Sequence, residues 1–145
     1  MRVNKEDAQM GPETAPMTVV FFSAFGCGTC TTFKDAPQKL VEKYGDKVRI
    51  VFKHKIIPEP APDSLAASVA ALAAKEQGKF WEYHDKLFET NALDPASLTA
   101  HASALGLNLK KFVPMFLEMK FEVSIGMSPQ ERGFHMSKDL LKKEN

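Results

Sequence analysis

With 145 residues, 44% hydrophobic and 26% charged, the chain has the makings of one globular domain and not of a disordered or fibrous polymer. Lys plus Arg numbers 19 and Asp plus Glu 18, a formal charge of +1, so nothing electrostatic favours nucleic acid or an anionic membrane as partner. No apolar run approaches the roughly 20 residues that span a bilayer.

Residues 1–16 (MRVNKEDAQMGPETAP) are polar, with Gly11-Pro12 and Pro16 as breakers, and read as a lead-in arm. They lack the charged-then-apolar layout of a signal peptide, so the expectation is a cytosolic chain or one whose leader has been removed. Thr18 to Phe22 (TVVFF) is a β-branched and aromatic run, expected as a strand covered on both faces. Cys27 to Tyr44 reads as one helix kinked at Pro37, with Cys30, Phe33, Leu40, Val41 and Tyr44 at helical spacing. Val48 to Phe52 (VRIVF) is a second strand, completing a right-handed βαβ unit.

A proline-rich connection, residues 56–63, leads into a helical region. Leu65, Val69 and Leu72 mark an alanine-rich helix; Phe80, Trp81, His84, Leu87 and Phe88 mark the next, where helical spacing makes them core and His84 a hydrogen-bonded packing residue. Asp94-Pro95 is a cap followed by a proline at a helix start, and that helix should end near Gly106. Asn108 is placed to cap another, carrying Leu109, Phe112, Val113 and Phe116, with Pro114 interrupting it. Phe121, Val123, Ile125 and Met127 alternate with Glu122, Ser124 and Gly126, which is strand periodicity or a helix continuing from Phe116. Ser137 to Lys143 reads as a short terminal helix whose lysines are solvated.

The chemistry lies at Cys27-Gly28-Thr29-Cys30, directly after a strand and at the start of a helix. Two thiols at this spacing close a disulfide with little backbone cost. Unpaired N–H groups at a helix start favour a thiolate at Cys27, the expected nucleophile, and Cys30 one turn on would resolve the mixed disulfide. A structural disulfide and half of a zinc site are the alternatives. Zinc wants four ligands, and His54, His84, His101 and His135 are scattered singly without a second Cys pair. Met115, Met119, Met127 and Met136 are read as apolar gap-fillers and not as metal ligands. The expectation is no metal and no dissociable cofactor, the redox-active disulfide serving instead.

GPETAPMTVVFFSAFGCGTC and EQGKFWEYHDKLF (Glu76 to Phe88), in that order and separated by VRIVFKHKIIP, resemble the DsbA-type thiol–disulfide oxidoreductases. The resemblance covers Gly11 to Phe116. It implies an α/β fold: a thioredoxin-like βαβ core with a helical insertion, usually outside the cytoplasm, acting on protein thiols and disulfides with a separate redox partner. Residues 1–16 would be the arm, 17–60 the βαβ half with the CxxC, 61–120 the insertion and 121–145 a short remodelled segment. The active-site turn would comprise Phe25, Gly26, Gly28 and Thr29 around Cys27 and Cys30. Lys53 matches a basic position near the active site and is a candidate modulator of the thiolate, with a solvated charge as the alternative reading.

Departures from the family pattern matter equally. Phe21 stands where relatives carry a buried acidic residue that can relay a proton, and Ala24 where many carry Asp. Gly28-Thr29 replaces the Pro-His dipeptide of very strong oxidants, implying a less depressed Cys27 pKa. No Thr-Pro follows Phe116, so Pro129 in Ser128-Pro129 is the sole candidate for the substrate-docking proline, with a trans peptide expected. The second half of the sheet is therefore expected to be incomplete. Thr18 to Phe22 then becomes an apolar edge, inviting a homodimer by edge pairing or exchange of the C-terminal segment. The function expected is protein thiol–disulfide exchange, weakened by the missing loop; a non-catalytic thioredoxin-like binding module is the alternative.

Overall fold

The computed structural model describes residues 2–55 and 63–124. Within them, β1 (Ala8–Met10), β2 (Met17–Ser23) and β3 (Val48–His54) form a sheet in the order β1-β3-β2. β2 runs parallel to β3, with Val19 opposite Ile50 and Phe21 opposite Phe52, while β1 is antiparallel to β3. The βαβ unit is present as expected.

Coverage is distributed otherwise than the apolar runs suggest. β3 is the central strand, and Val48, Ile50, Val51 and Phe52 are each at most 2% exposed. β2 lies at an edge of the sheet among the described residues, with Met17 61% and Phe22 56% exposed, which corrects the expectation of cover on both faces. A continuous apolar run reports affinity for burial, not which strand receives a neighbour on each side.

The polar arm is also more than a lead-in, because it supplies β1. Asp7 and Lys53 form an ion pair at 2.6 Å, and the Asn4 N–H donates to the Asp7 carboxylate at 2.8 Å. Arg49 Nε donates to Gln9 Oε1 at 2.8 Å, and the Trp81 indole N–H to the Gln9 carbonyl at 3.0 Å. Gly11 then turns the chain at φ 87°; a Cβ there would sit 2.3 Å from the Val48 carbonyl oxygen, so only glycine fits.

After β2 the expected single helix is two: α1 (Gly28–Thr32) and α2 (Ala36–Tyr44). Pro37 does not kink a continuous helix but stands in the first turn of α2, where its missing donor is not needed. The Phe33 carbonyl, which Pro37 cannot serve, accepts from the Ala36 N–H at 3.0 Å, and this tighter turn separates the helices.

Four helices follow: α3 (Ser64–Lys75), α4 (Phe80–Thr90), α5 (Pro95–Ala104) and α6 (Leu109–Ser124). The alanine-rich α3 is buried along nearly its whole length, its small side chains letting α4, α5 and α6 pack closely. Asp94 caps α5 by accepting from the Ser97 N–H at 3.0 Å, and Asn108 caps α6 by accepting from Lys110 N–H at 3.0 Å. Pro114 lies inside α6 without ending it, and residues 121–124 continue that helix, so strand periodicity there is corrected. Pro129 and the expected terminal helix lie outside the described residues.

One apolar cluster joins sheet to insertion. Phe25 meets Phe88 with ring centroids 5.1 Å apart, and Phe52 meets Phe80 at 5.3 Å. Deeper in the insertion, Tyr83 is fully buried and its hydroxyl donates to the Leu98 carbonyl at 2.7 Å. The fold thus fixes the loop after β2 against α4, which arrives much later in the chain, and the thiols follow on from that loop.

Candidate active site

β2 ends at Ser23 and leads through Ala24 and Phe25, both fully buried, into the turn at Gly26, whose φ of 79° suits glycine. Of the turn residues named from the sequence, Phe25 is the anchor: its ring packs against Phe52, His54, His84 and Phe88. Gly28 and Thr29 are exposed, and both cysteines are half-buried free thiols.

Cys27 occupies the cap position of α1 in extended conformation, with φ −93° and ψ 118°. Its thiol is lowered from its ordinary pKa, first by the hydrogen bond from the Cys30 thiol and next by the Cys30 backbone N–H. Burial opposes this, and the smaller effects of the Thr29 N–H and the charge of Lys55 add to the lowering. α1 has only five residues, so local N–H groups carry the stabilisation, not the dipole of a long helix. Cys30 points inward, packed against the apolar core.

The structure places Lys53 against Asp7 on the arm, 19% and 14% exposed respectively, while the charge of Lys55 is the last of the contributions that lower the Cys27 thiol. The Lys55 N–H donates to the Ser23 carbonyl at 2.8 Å, continuing the β2–β3 ladder one step beyond its last pair and holding Lys55 beside the loop to Cys27. Sequence reasoning passed over Lys55. Its signal was the alternation in Lys53-His54-Lys55, which turns both lysines to the same side as β3 ends and leaves their partners open.

Beside Cys30 lies a groove of about 260 Å³, lined by Phe21, Phe22, Phe33, Pro37, Phe52 and His84 among others. Phe21, at the position acidic in the resembled family, is thus part of an apolar wall. Phe33 is 62% exposed at the rim. His84, read as a packing residue, is indeed 2% exposed, its Nδ1 2.9 Å from Asp85 Oδ1; sequence reasoning did not bring it to the same groove as Cys30. Its place there depends on α4 folding back onto the sheet.

A family model described as Thioredoxin matches residues 3–124. The chain belongs to the thioredoxin family. Within that family its fold is the DsbA-type one, a thioredoxin sheet with inserted helices. The thiol–disulfide exchange protein alpha-DsbA2 from Wolbachia pipientis superposes with a TM-score of 0.70 at 19% identity, over 83% of this thioredoxin-family chain and 64% of that one. BdbD from Bacillus subtilis superposes at 0.68 with 23% identity, covering 83% and 69%. The catalytic domain of Proteus mirabilis ScsC does so at 0.62 with 24% identity, covering 87% and 76%. At these identities the likeness is one of fold.

Among curated sequences, Na(+)/H(+) antiporter NhaA 3 from Salinispora tropica is 39% identical over 107 residues, and NhaA from Herminiimonas arsenicoxydans 34% over 104. The thioredoxin-family chain covers only 16% of either protein, and the match takes in 73% and 71% of this chain. No described helix of this chain is long and apolar enough to cross a membrane.

Proposed function

We propose that this thioredoxin-family protein is a thiol–disulfide oxidoreductase that exchanges disulfides with protein substrates, working outside the cytoplasm with a separate redox partner. The observation that supports it most is the asymmetry of the two thiols. Cys27 is half-exposed at a cap, its thiol held below its ordinary pKa chiefly by the neighbouring Cys30 thiol and backbone N–H. Cys30 stands one turn inward against the core. The outer sulfur is the attacking one because its thiolate is stabilised, and the inner one is placed to displace the substrate from it. The pair itself carries the electrons, so the reaction needs no dissociable cofactor.

The reading is tested by insulin reduction. Wild-type protein should precipitate insulin with dithiothreitol as electron source, and Cys27→Ser should not. Cys30→Ser should instead retain substrate as a mixed disulfide.

A second reading is favoured by the sequence relatives: a thioredoxin-like unit that forms part of an antiporter chain is suited to binding as well as to turnover. A non-catalytic module would fold normally and give no Cys27-dependent insulin reduction. The outer edge of β2, without a strand partner among the described residues, supports self-association through that edge. Sedimentation at high concentration should then show a dimer; a strict monomer would exclude it.

A further inference from the structure

His84 is a titratable side chain of the groove that the exchange reaction described above does not use. It comes from α4 in the insertion, yet lines the same groove as Cys30. Rings surround it: Phe88 at 4.9 Å, Phe52 and Trp81 at 5.3 Å, Phe25 at 6.0 Å and Phe80 at 6.1 Å between centroids. Such a cage fixes the orientation of the imidazole. Asp85 Oδ1 lies 2.9 Å from Nδ1, which assigns the proton of the neutral ring to Nδ1 and leaves the lone pair on Nε2.

The exchange reaction needs such a lone pair. A thiol attacks a disulfide only as thiolate, so the Cys30 proton must pass to an acceptor as the mixed disulfide is resolved. Among the described residues, the groove lining contains no carboxylate. Its titratable members are Cys30, Lys34 and His84, and Lys34 is held by Asp35 at 2.7 Å. The titratable and charged groups around His84 are Asp85 on its own helix, Lys34 and Asp35 between α1 and α2, and the buried His54 on β3.

We infer that His84, oriented by Asp85, is the base that takes the Cys30 proton when the mixed disulfide is resolved. The inference rests on the oxidoreductase reading. A groove of about 260 Å³ has room for several waters, each occupying roughly 30 Å³, enough to carry a proton between Cys30 and the imidazole that line it. In the mixed disulfide the Cys27 sulfur is bonded to a substrate sulfur. Cys30 gives its proton to His84, and its thiolate attacks the Cys27 sulfur. The Cys27–Cys30 bond forms as the bond to the substrate breaks, and the electron pair leaves on the substrate thiolate, which takes the proton back from the imidazolium. The protein dithiol is oxidised and the substrate disulfide reduced by the same two electrons.

The chromogenic disulfide dithiodipyridine separates the steps in stopped flow. The first thiopyridone is released when Cys27 attacks, at a rate that scales with reagent concentration. The second is released when Cys30 resolves the adduct, at a rate independent of it. His84→Gln should slow the second release about 100-fold, the scale of a lost general base. It should also abolish the decline of that rate on acidification, with the first release unchanged. Asp85→Asn, at a residue half exposed on the surface, should slow the second release less and alter the same acid limb. If both variants keep the wild-type second release and its acid limb, the inference is overturned. If His84→Gln does not fold, Asp85→Asn decides: a slowed second release supports the base, an unchanged one overturns it. Absence of the first release in wild-type protein would instead sink the oxidoreductase reading, and this inference with it.

Discussion

The reactivity of Cys27 is a sum of small local contributions, each assignable to a residue. Since the Cys30 thiol and the adjacent N–H groups are the larger ones and Lys55 the last, removing the lysine charge should raise the Cys27 titration midpoint only modestly. Iodoacetamide rates against pH should show this for Lys55→Met, whereas Lys53→Met should leave the midpoint in place. Lys53→Met should instead cost about 1–3 kcal/mol in urea unfolding, because it strands the Asp7 carboxylate in a mostly buried position. The sequence shows two lysines turned to the same side as a strand ends but not that an aspartate 46 positions earlier claims one of them. Exposed Thr29 offers the converse change. Thr29→His would set an imidazole beside the sulfur, and the midpoint should fall in the same iodoacetamide assay.

At the level of elements, local rules worked where the controlling partners are local. Asp94 and Asn108 cap their helices as read, since a cap needs only the N–H groups two or three residues on. The cysteines fall after a strand and at a helix start for the same reason. The rest depended on distant pairing. β1 is a strand because β3 offers it an edge and Trp81 and Arg49 bind Gln9, none of which shows in a polar arm. Pro37 was misplaced by helical spacing running across two helices, and Pro114 by treating a proline as a stop where tertiary packing carries α6 through it. Pairwise, the glycines test this picture. Gly11→Ala should destabilise by about 3 kcal/mol, combining a left-handed φ with a collision against the Val48 carbonyl. Gly28→Ala meets open space at the start of α1 and should stay within about 0.5 kcal/mol of wild type in the same unfolding series.

Across the whole molecule, the aromatic cluster that joins insertion to sheet also makes stability depend on pH. The His54 ring packs among Phe25, Phe52 and Phe80, and burial, followed by the charge of His84, pushes its pKa from 6.5 down to about 3. The unfolded chain therefore binds a proton at His54 between those two values while the folded one does not. Stability from this residue is fully present above pH 6.5 and is lost as pH falls toward 3, by up to about 1.4 kcal/mol per pH unit. Urea unfolding at stepped pH should show that slope, and His54→Phe should flatten it. The same cluster explains why the site was only partly legible. The thiols announce themselves by spacing, but the groove next to them is assembled from β2, α1, α2, β3 and α4, and only the folded chain brings Cys30 and His84 to one cavity.

The most direct test of the central claim, that Cys27 and Cys30 form a reversible redox couple, is alkylation and mass spectrometry after equilibration in glutathione buffers of graded potential. Both thiols should lose their alkyl tags together in one two-electron transition, with Cys27→Ser and Cys30→Ser each abolishing it. Two thiols that stay alkylated throughout, or that form separate glutathione adducts without ever joining each other, would contradict it.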